Sequence, residues 1–192
     1  MSLRLFVAIE LPDNITRALA SVQEVLKGRS GAQAVRWTDP RGTHLTLKFL
    51  GETSERLVPD IQTCIAETCQ RFGPIRLRLA EIGAFPNFRR PRVLWVGLTA
   101  EPNSDLMGLQ AQIERSLARL GFPQENRDFS PHLTLGRVRQ GGCGPGGLAE
   151  MFSQTVAVPA LEFVAEEVSL MQSILNPNGA IYNRLYAAKL NG

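Results

Sequence analysis

His44-Leu45-Thr46-Leu47 and His132-Leu133-Thr134-Leu135 are the same tetrapeptide, 88 positions apart, and each begins on one of the chain's two histidines. With 25 Leu and 10 Thr among 192 residues, Leu-Thr-Leu follows a given residue by chance about once in a thousand times. Alternation of apolar and polar residues over four positions marks a half-buried strand, because successive side chains point to opposite faces. The leucines Leu45, Leu47, Leu133 and Leu135 are then core anchors. Each histidine stands beside its threonine on the other, open face. Two such strands facing across a cleft would converge two imidazoles and two hydroxyls on one small volume.

That set of groups suits displacement at phosphorus. Imidazole ionises near pH 6.5, so around neutrality one ring can accept a proton while the other gives one. Threonine hydroxyls can donate to non-bridging phosphate oxygens. Two histidines without a third ligand make a poor metal site, since catalytic zinc takes about three protein ligands. The pattern therefore points to metal-free acid–base chemistry, with no cofactor. The competing reading is two half-buried strand histidines in a duplicated fold.

Composition sets wide bounds. A chain of 192 residues with 44% apolar content can bury a sizeable core. The net charge of +3 is compatible with a phosphate-bearing partner and does not demand one. Three cysteines, Cys64, Cys69 and Cys143, without a CxxC pair describe neither a disulfide framework nor a zinc site. The apolar stretch Leu3–Leu11 is broken by Arg4 and Glu10 and runs into Pro12-Asp13, a helix start, so it reads as a strand and not a signal peptide. No run is long enough for a membrane span. The expected location is the cytoplasm.

The periodicity predicts strands at 3–10 and 35–37, the first histidine strand at 44–50, and strands at 75–82 and 92–99. It predicts the second histidine strand at 131–138, and further strands at 161–172 and 181–189. Helices are expected at 13–27, 54–72 and 104–120, the last closed by Gly121, with a short one at 148–153. Gln140 to Gly147 reads as a solvated connection, and Asn176-Pro177-Asn178-Gly179 as a turn. The layout repeats weakly in the two halves. It predicts an α+β fold: one domain over 1–192, made of two intertwined similar lobes with antiparallel sheets, outer helices and a central cleft.

His44 through Gly51 and Pro131 through Arg137 resemble the two HxTx motifs of the two-histidine phosphoesterase superfamily. Within it, the chain resembles the bacterial and archaeal RNA 2′,3′-cyclic phosphodiesterases, formerly called 2′-5′ RNA ligases. The likeness extends to Arg4–Ile9, Trp37, Phe85-Pro86, Pro91–Gly97, and Leu170, Ser173, Gly179 and Tyr182. It implies a bilobal α+β fold with a metal-independent cleft. It also implies hydrolysis of a terminal RNA 2′,3′-cyclic phosphate to a 2′-phosphomonoester. By family role His44 is the proton donor to the departing 3′ oxygen and His132 the proton acceptor for water. The sequence alone does not separate those two roles. Thr46 and Thr134 would hold phosphate oxygens. The implied partner is RNA with a cyclic-phosphate end, tRNA fragments among the candidates, acted on by a monomer. Gly136 replaces a common Ala on the cleft face, where little effect is expected.

Lys48 continues the His44–Thr46 parity and, in a regular strand, is expected to face the cleft, either as a phosphate-binding cation or as a solvated lysine at its rim. Arg137 is kept as a substrate-binding candidate by the resemblance, but it falls on the leucine parity, and only a bulge or strong twist would turn it to the cleft. Arg89, Arg90 and Arg92, interleaved with Phe85 and Phe88, read either as single-stranded RNA contacts or as surface arginines. Two other functions compete with hydrolysis. One is an RNA-end or nucleotide-binding module with little turnover. The other is 2′-5′ RNA ligation, the reverse reaction, which the same histidines permit. No GxxxxGK[ST] loop supports ATP-driven activation.

Overall fold

Each motif leucine is buried where the alternation places it: Leu45, Leu133 and Leu135 are 0% exposed and Leu47 2%. The computed structural model describes residues 1–139, 148, 151–152, 155–176 and 179–192. The glycine-rich segment 140–147, half of the expected helix 148–153 and the centre of the 176–179 turn lie outside the described residues. The described strands are β1 (Ser2–Glu10), β2 (Val35–Trp37), β3 (His44–Ser54), β4 (Ile75–Phe85), β5 (Val93–Ala100), β6 (His132–Val138), β7 (Glu162–Ala165), β8 (Glu167–Asn176) and β9 (Gly179–Lys189). The helices are α1 (Asp13–Lys27), α2 (Val58–Cys69) and α3 (Leu106–Ala118).

Helix signals in the sequence have structural counterparts. Ile15, Leu19, Val22 and Leu26 form the buried stripe of α1. Asp105 caps α3 by accepting a hydrogen bond from the Gly108 N–H at 2.8 Å. Gly121 follows α3 at φ 91°, a left-handed conformation that glycine adopts without strain. Among the described residues, no helix is long and apolar enough to cross a membrane.

The strands form two antiparallel sheets, ordered β3-β1-β8-β9 and β2-β6-β5-β4-β7. Without β2 the second order mirrors the first: β6 answers β3, β5 answers β1, β4 answers β8 and β7 answers β9. The duplication is therefore three-dimensional, and β2 is the strand with no counterpart. Each sheet draws strands from both ends of the chain. The expected single strand at 161–172 is instead two, β7 and β8, which lie in different sheets. The alternation breaks between them: Phe163 and Ala165 are buried on odd positions, then four consecutive residues from Val168 to Met171 are buried. The chain changes sheet at Glu166.

Both motif strands also carry the same irregularity. The β1–β3 register passes from Ala8↔Thr46 to Val7↔Lys48, leaving Leu47 unmatched. The β5–β6 register passes from Trp95↔Thr134 to Leu94↔Gly136, leaving Leu135 unmatched. One extra residue in a strand is a β-bulge, and a shift of one residue exchanges the faces of everything beyond it. Past the bulges, Lys48 and Gly136 fall with the leucines, while Phe49 and Arg137 fall with the histidines and threonines. Burial agrees: Lys48 is 3% exposed and Phe49 60%.

Gly136 is thus not on the cleft face. It packs against β2, where an added Cβ would sit 2.6 Å from Val35 Cγ1 and 3.1 Å from the Arg36 carbonyl oxygen. The expectation of little effect from alanine is corrected accordingly. Gly136→Ala should cost about 1–3 kcal/mol through overpacking, read as a lowered urea midpoint. An unchanged midpoint would show that β2 yields freely.

Candidate functional site

The open faces of the two sheets can be read row by row from the ladder. On one sheet His44 lies opposite Glu10, Thr46 opposite Ala8, and Phe49 opposite Phe6. On the other, His132 lies opposite Gly97, Thr134 opposite Trp95, and Arg137 opposite Val93. The two motif strands meet. Thr43, just before His44, donates its hydroxyl to the Thr134 carbonyl at 3.5 Å. This contact sets the start of the first motif strand beside the second motif strand. The hydroxyls of Thr46 and Thr134 bond to no described residue, so both are available to a ligand.

Both imidazoles are held in the same way. Nδ1 of His44 lies 2.9 Å from the Gly42 carbonyl oxygen, and Nδ1 of His132 lies 2.7 Å from that of Ser130. A carbonyl only accepts, so Nδ1 carries the proton in each ring. Nε2 is the nitrogen left for chemistry, as acceptor when neutral and as donor when protonated. Aromatic rings fix the imidazole planes. His44 stacks on Phe6 with centroids 4.5 Å apart and meets Tyr182 edge-on at 5.0 Å. His132 meets Phe85 edge-on at 4.9 Å and lies 6.2 Å from Trp95.

Identical in motif, the two histidines differ in electrostatic surroundings. Burial is the main influence on each and lowers both from the ordinary imidazole value of 6.5. For His44 the Gly42 carbonyl and the Glu10 carboxylate work against that lowering. For His132 the Ser130 carbonyl works against it, but the Arg137 guanidinium lowers it further. Glu10 is itself positioned by Ser169 Oγ, which donates to it at 2.8 Å, and by Arg184 at 3.1 Å. A negative charge beside one imidazole and a positive charge beside the other bias the first toward the protonated form and the second toward the neutral form.

Lys48 is not in the cleft. Its ammonium donates to Glu114 of α3 at 2.6 Å and to the Pro123 carbonyl at 2.7 Å, with the side chain 1% exposed. The bulge at Leu47 inverts the parity on which the expectation of a cleft-facing cation rests. The equivalent bulge at Leu135 does the reverse for Arg137, turning it onto the His132 face. Arg89 and Arg90 sit in an exposed turn, where their backbone N–H groups donate to Asn87 Oδ1 at 3.0 and 3.2 Å. Trp37 packs against the core, whereas Trp95 lies on the open face beside His132.

Two positioning residues escape a reading of the sequence. Gln23 of α1 and Gln110 of α3 are both buried, 1% and 8% exposed. Gln23 Nε2 donates to the carbonyls of Leu135 (2.9 Å) and Thr38 (2.8 Å). Gln110 Nε2 donates to the carbonyl of Leu47 at 3.3 Å. Each glutamine therefore holds the bulge residue of the other half's motif. Their separation of 87 positions, nearly the motif spacing, was the available signal. Glu10 and Phe49 were also missed. Among the described residues no three His, Cys, Asp or Glu side chains gather as a metal-ligating group.

Comparison with known proteins gives a consistent picture. The family described as LigT-like phosphoesterase matches the chain twice, over residues 9–95 and 96–182. An Archaeoglobus fulgidus protein named RNA 2′,3′-cyclic phosphodiesterase is 34% identical over 95% of this chain and 98% of its own length. A Methanothermobacter thermautotrophicus protein of the same name is 32% identical over 99% of this chain and all of its own length. Among solved structures, a Thermus thermophilus protein superposes with a TM-score of 0.79 at 28% identity, over 99% of both chains. Escherichia coli LigT in complex with 3′-AMP superposes with a TM-score of 0.73 at 26% identity, over the whole of both chains.

In an NMR titration both imidazoles should titrate below 6.5. Glu10→Gln should lower the His44 midpoint further, and Arg137→Ala should raise that of His132. A His44 midpoint above 6.5, or no response to either substitution, would contradict the electrostatics. Separately, Lys48→Met should destabilise the protein by about 3–5 kcal/mol in urea unfolding, because it strands Glu114 as a buried charge. A loss below about 1 kcal/mol, as for an exposed pair, would contradict the burial.

Proposed function

The chain belongs to the LigT-like phosphoesterase family, and on that basis we propose that it hydrolyses RNA terminal 2′,3′-cyclic phosphates to 2′-phosphomonoesters. The observation that carries the proposal is the matched pair of imidazoles, each tied through Nδ1 to a backbone carbonyl. Relatives named RNA 2′,3′-cyclic phosphodiesterase along nearly the whole chain support the substrate class. A similar fold in complex with 3′-AMP supports a nucleotide-sized cleft.

In the proposed reaction the cyclic phosphate lies between the imidazoles. Neutral His132 takes a proton from water at Nε2 as the water oxygen bonds to phosphorus. The bond from phosphorus to O3′ breaks, and protonated His44 gives its Nε2 proton to that oxygen. The 2′ ester is left intact, and solvent restores both rings. The charge pattern supports this assignment of roles: Glu10 favours the protonated form of His44, and Arg137 favours the neutral form of His132. Thr46 and Thr134 donate hydroxyls to the non-bridging oxygens, and the Arg137 guanidinium draws the anion in and offsets its charge. These steps are proton transfers and hydrogen bonds, so the proposed reaction is metal-independent. The chain is proposed to act as one domain, a monomer in the cytoplasm, on RNA ends that include tRNA fragments. The free thiols of Cys64 and Cys69 fit a reducing compartment.

The test is incubation with an oligoribonucleotide ending in a 2′,3′-cyclic phosphate, in excess chelator, with products separated against 2′- and 3′-phosphate standards. The expected product is the 2′-phosphate. His44→Ala and His132→Ala should each slow turnover by about a hundred- to ten-thousand-fold while the thermal midpoint stays close to wild type. Tight binding without product would replace hydrolysis with an RNA-end binding module. Full activity in either variant would remove the paired-imidazole mechanism.

A further inference from the structure

β2 is the strand without a counterpart in the other sheet, and its central residue is Arg36. Arg36 lies in register with Arg137 of β6. Residues paired in register share a face, so both guanidiniums stand on the His132 side, one row beyond Thr134. Both side chains are exposed. Neither has a carboxylate partner among the described residues. Like charges directly opposite each other on a sheet are destabilising, and arginine does not relieve the repulsion by losing its proton. The open face of the other sheet is treated differently. There Arg184 is neutralised by Glu10 at 3.1 Å and Glu167 at 3.7 Å. The row equivalent to Arg137–Val93 holds Phe49 and Phe6, and no strand stands where β2 holds Arg36.

An unneutralised arginine pair on a cleft wall is a site for an anion bound by two parallel N–H donors. The terminal phosphate does not account for both members. Arg137 is beside His132, but Arg36 stands one strand further out, about 4.8 Å toward the sheet edge. We infer that Arg36, with Arg137, binds the phosphodiester of the RNA chain next to the terminal nucleotide, so that the strand leaves the cleft over β6 and β2. This rests on the phosphodiesterase proposal. It makes Arg36 the residue by which the enzyme tells an RNA end from a free cyclic nucleotide, because the free nucleotide has no second phosphate.

The experiment compares 2′,3′-cyclic AMP with a tetraribonucleotide ending in a 2′,3′-cyclic phosphate, for wild type, Arg36→Ala and Arg36→Lys. The readout is the ratio of kcat/KM for the tetranucleotide to kcat/KM for the mononucleotide. Arg36→Ala should lower that ratio about tenfold, a loss of one good charged contact. Arg36→Lys should recover part of it. The salt slope for the tetranucleotide should flatten by about one in Arg36→Ala. An unchanged ratio overturns the inference, whether both substrates suffer together, as for a strand that merely supports the fold, or neither does. If wild type turns over neither substrate, it is the phosphodiesterase proposal that has failed. Fluorescence anisotropy with a 3′-phosphorylated tetraribonucleotide then decides for Arg36 alone. Weaker, less salt-sensitive binding by Arg36→Ala upholds the phosphate contact, and equal binding removes it.

Discussion

The site depends on one extra residue in each motif strand. A regular strand through His44 or His132 would place every second side chain on the open face. Lys48 would then face the ligand and Arg137 the core. The bulges at Leu47 and Leu135 exchange those positions. Breaking the ladder frees backbone groups, and a buried carbonyl left unpaired costs about 1–3 kcal/mol. Gln110 and Gln23 meet that cost by donating to the two bulge carbonyls. Each glutamine comes from the opposite half of the chain, so helix packing, strand register and the direction of the cleft side chains are one coupled arrangement.

With the register set, the two halves diverge in chemistry. Position 48 is a lysine buried against Glu114, while its equivalent is Gly136, pressed against β2. Position 49 is an exposed phenylalanine and its equivalent is Arg137. The histidines have the same backbone anchor, and both are desolvated by aromatic neighbours. What separates them is the nearest charge, Glu10 for one and Arg137 for the other. Two equal groups are thereby biased in opposite directions, His44 by a negative charge and His132 by a positive one, through residues outside the shared tetrapeptide.

Much of this was legible in the chain. The tetrapeptides revealed the strands, their buried leucines and the pairing of His with Thr, because period-two alternation is local. The stripe of α1 and the glycine that closes α3 were equally local. The errors lie where a non-local pairing decides. Lys48 and Gly136 were assigned by parity, and parity fails at a bulge that only the neighbouring strand defines. The strand expected at 161–172 was divided because its two parts pair with β4 and β1, which belong to different sheets. Gln23 and Gln110 look like ordinary helix residues, since their partners are backbone atoms far away in sequence. The resemblance to two-histidine phosphoesterases supplied roles for His44 and His132 that the residues alone left open.

The exchange of strands between sheets has a further consequence. Neither half of the chain encloses a core by itself, since β1 and β3 need β8 and β9, while β4 and β5 need β6 and β7. In this respect the molecule resembles two copies of one unit joined end to end, each lending strands to the other's sheet. In a true homodimer every substitution appears twice, so a cleft on the axis must have the same residue on both walls. The covalent link removes that restriction. Joining the halves is what allows one wall to carry phenylalanine and glutamate and the other arginine, so that the two faces of the cleft need not be chemically alike.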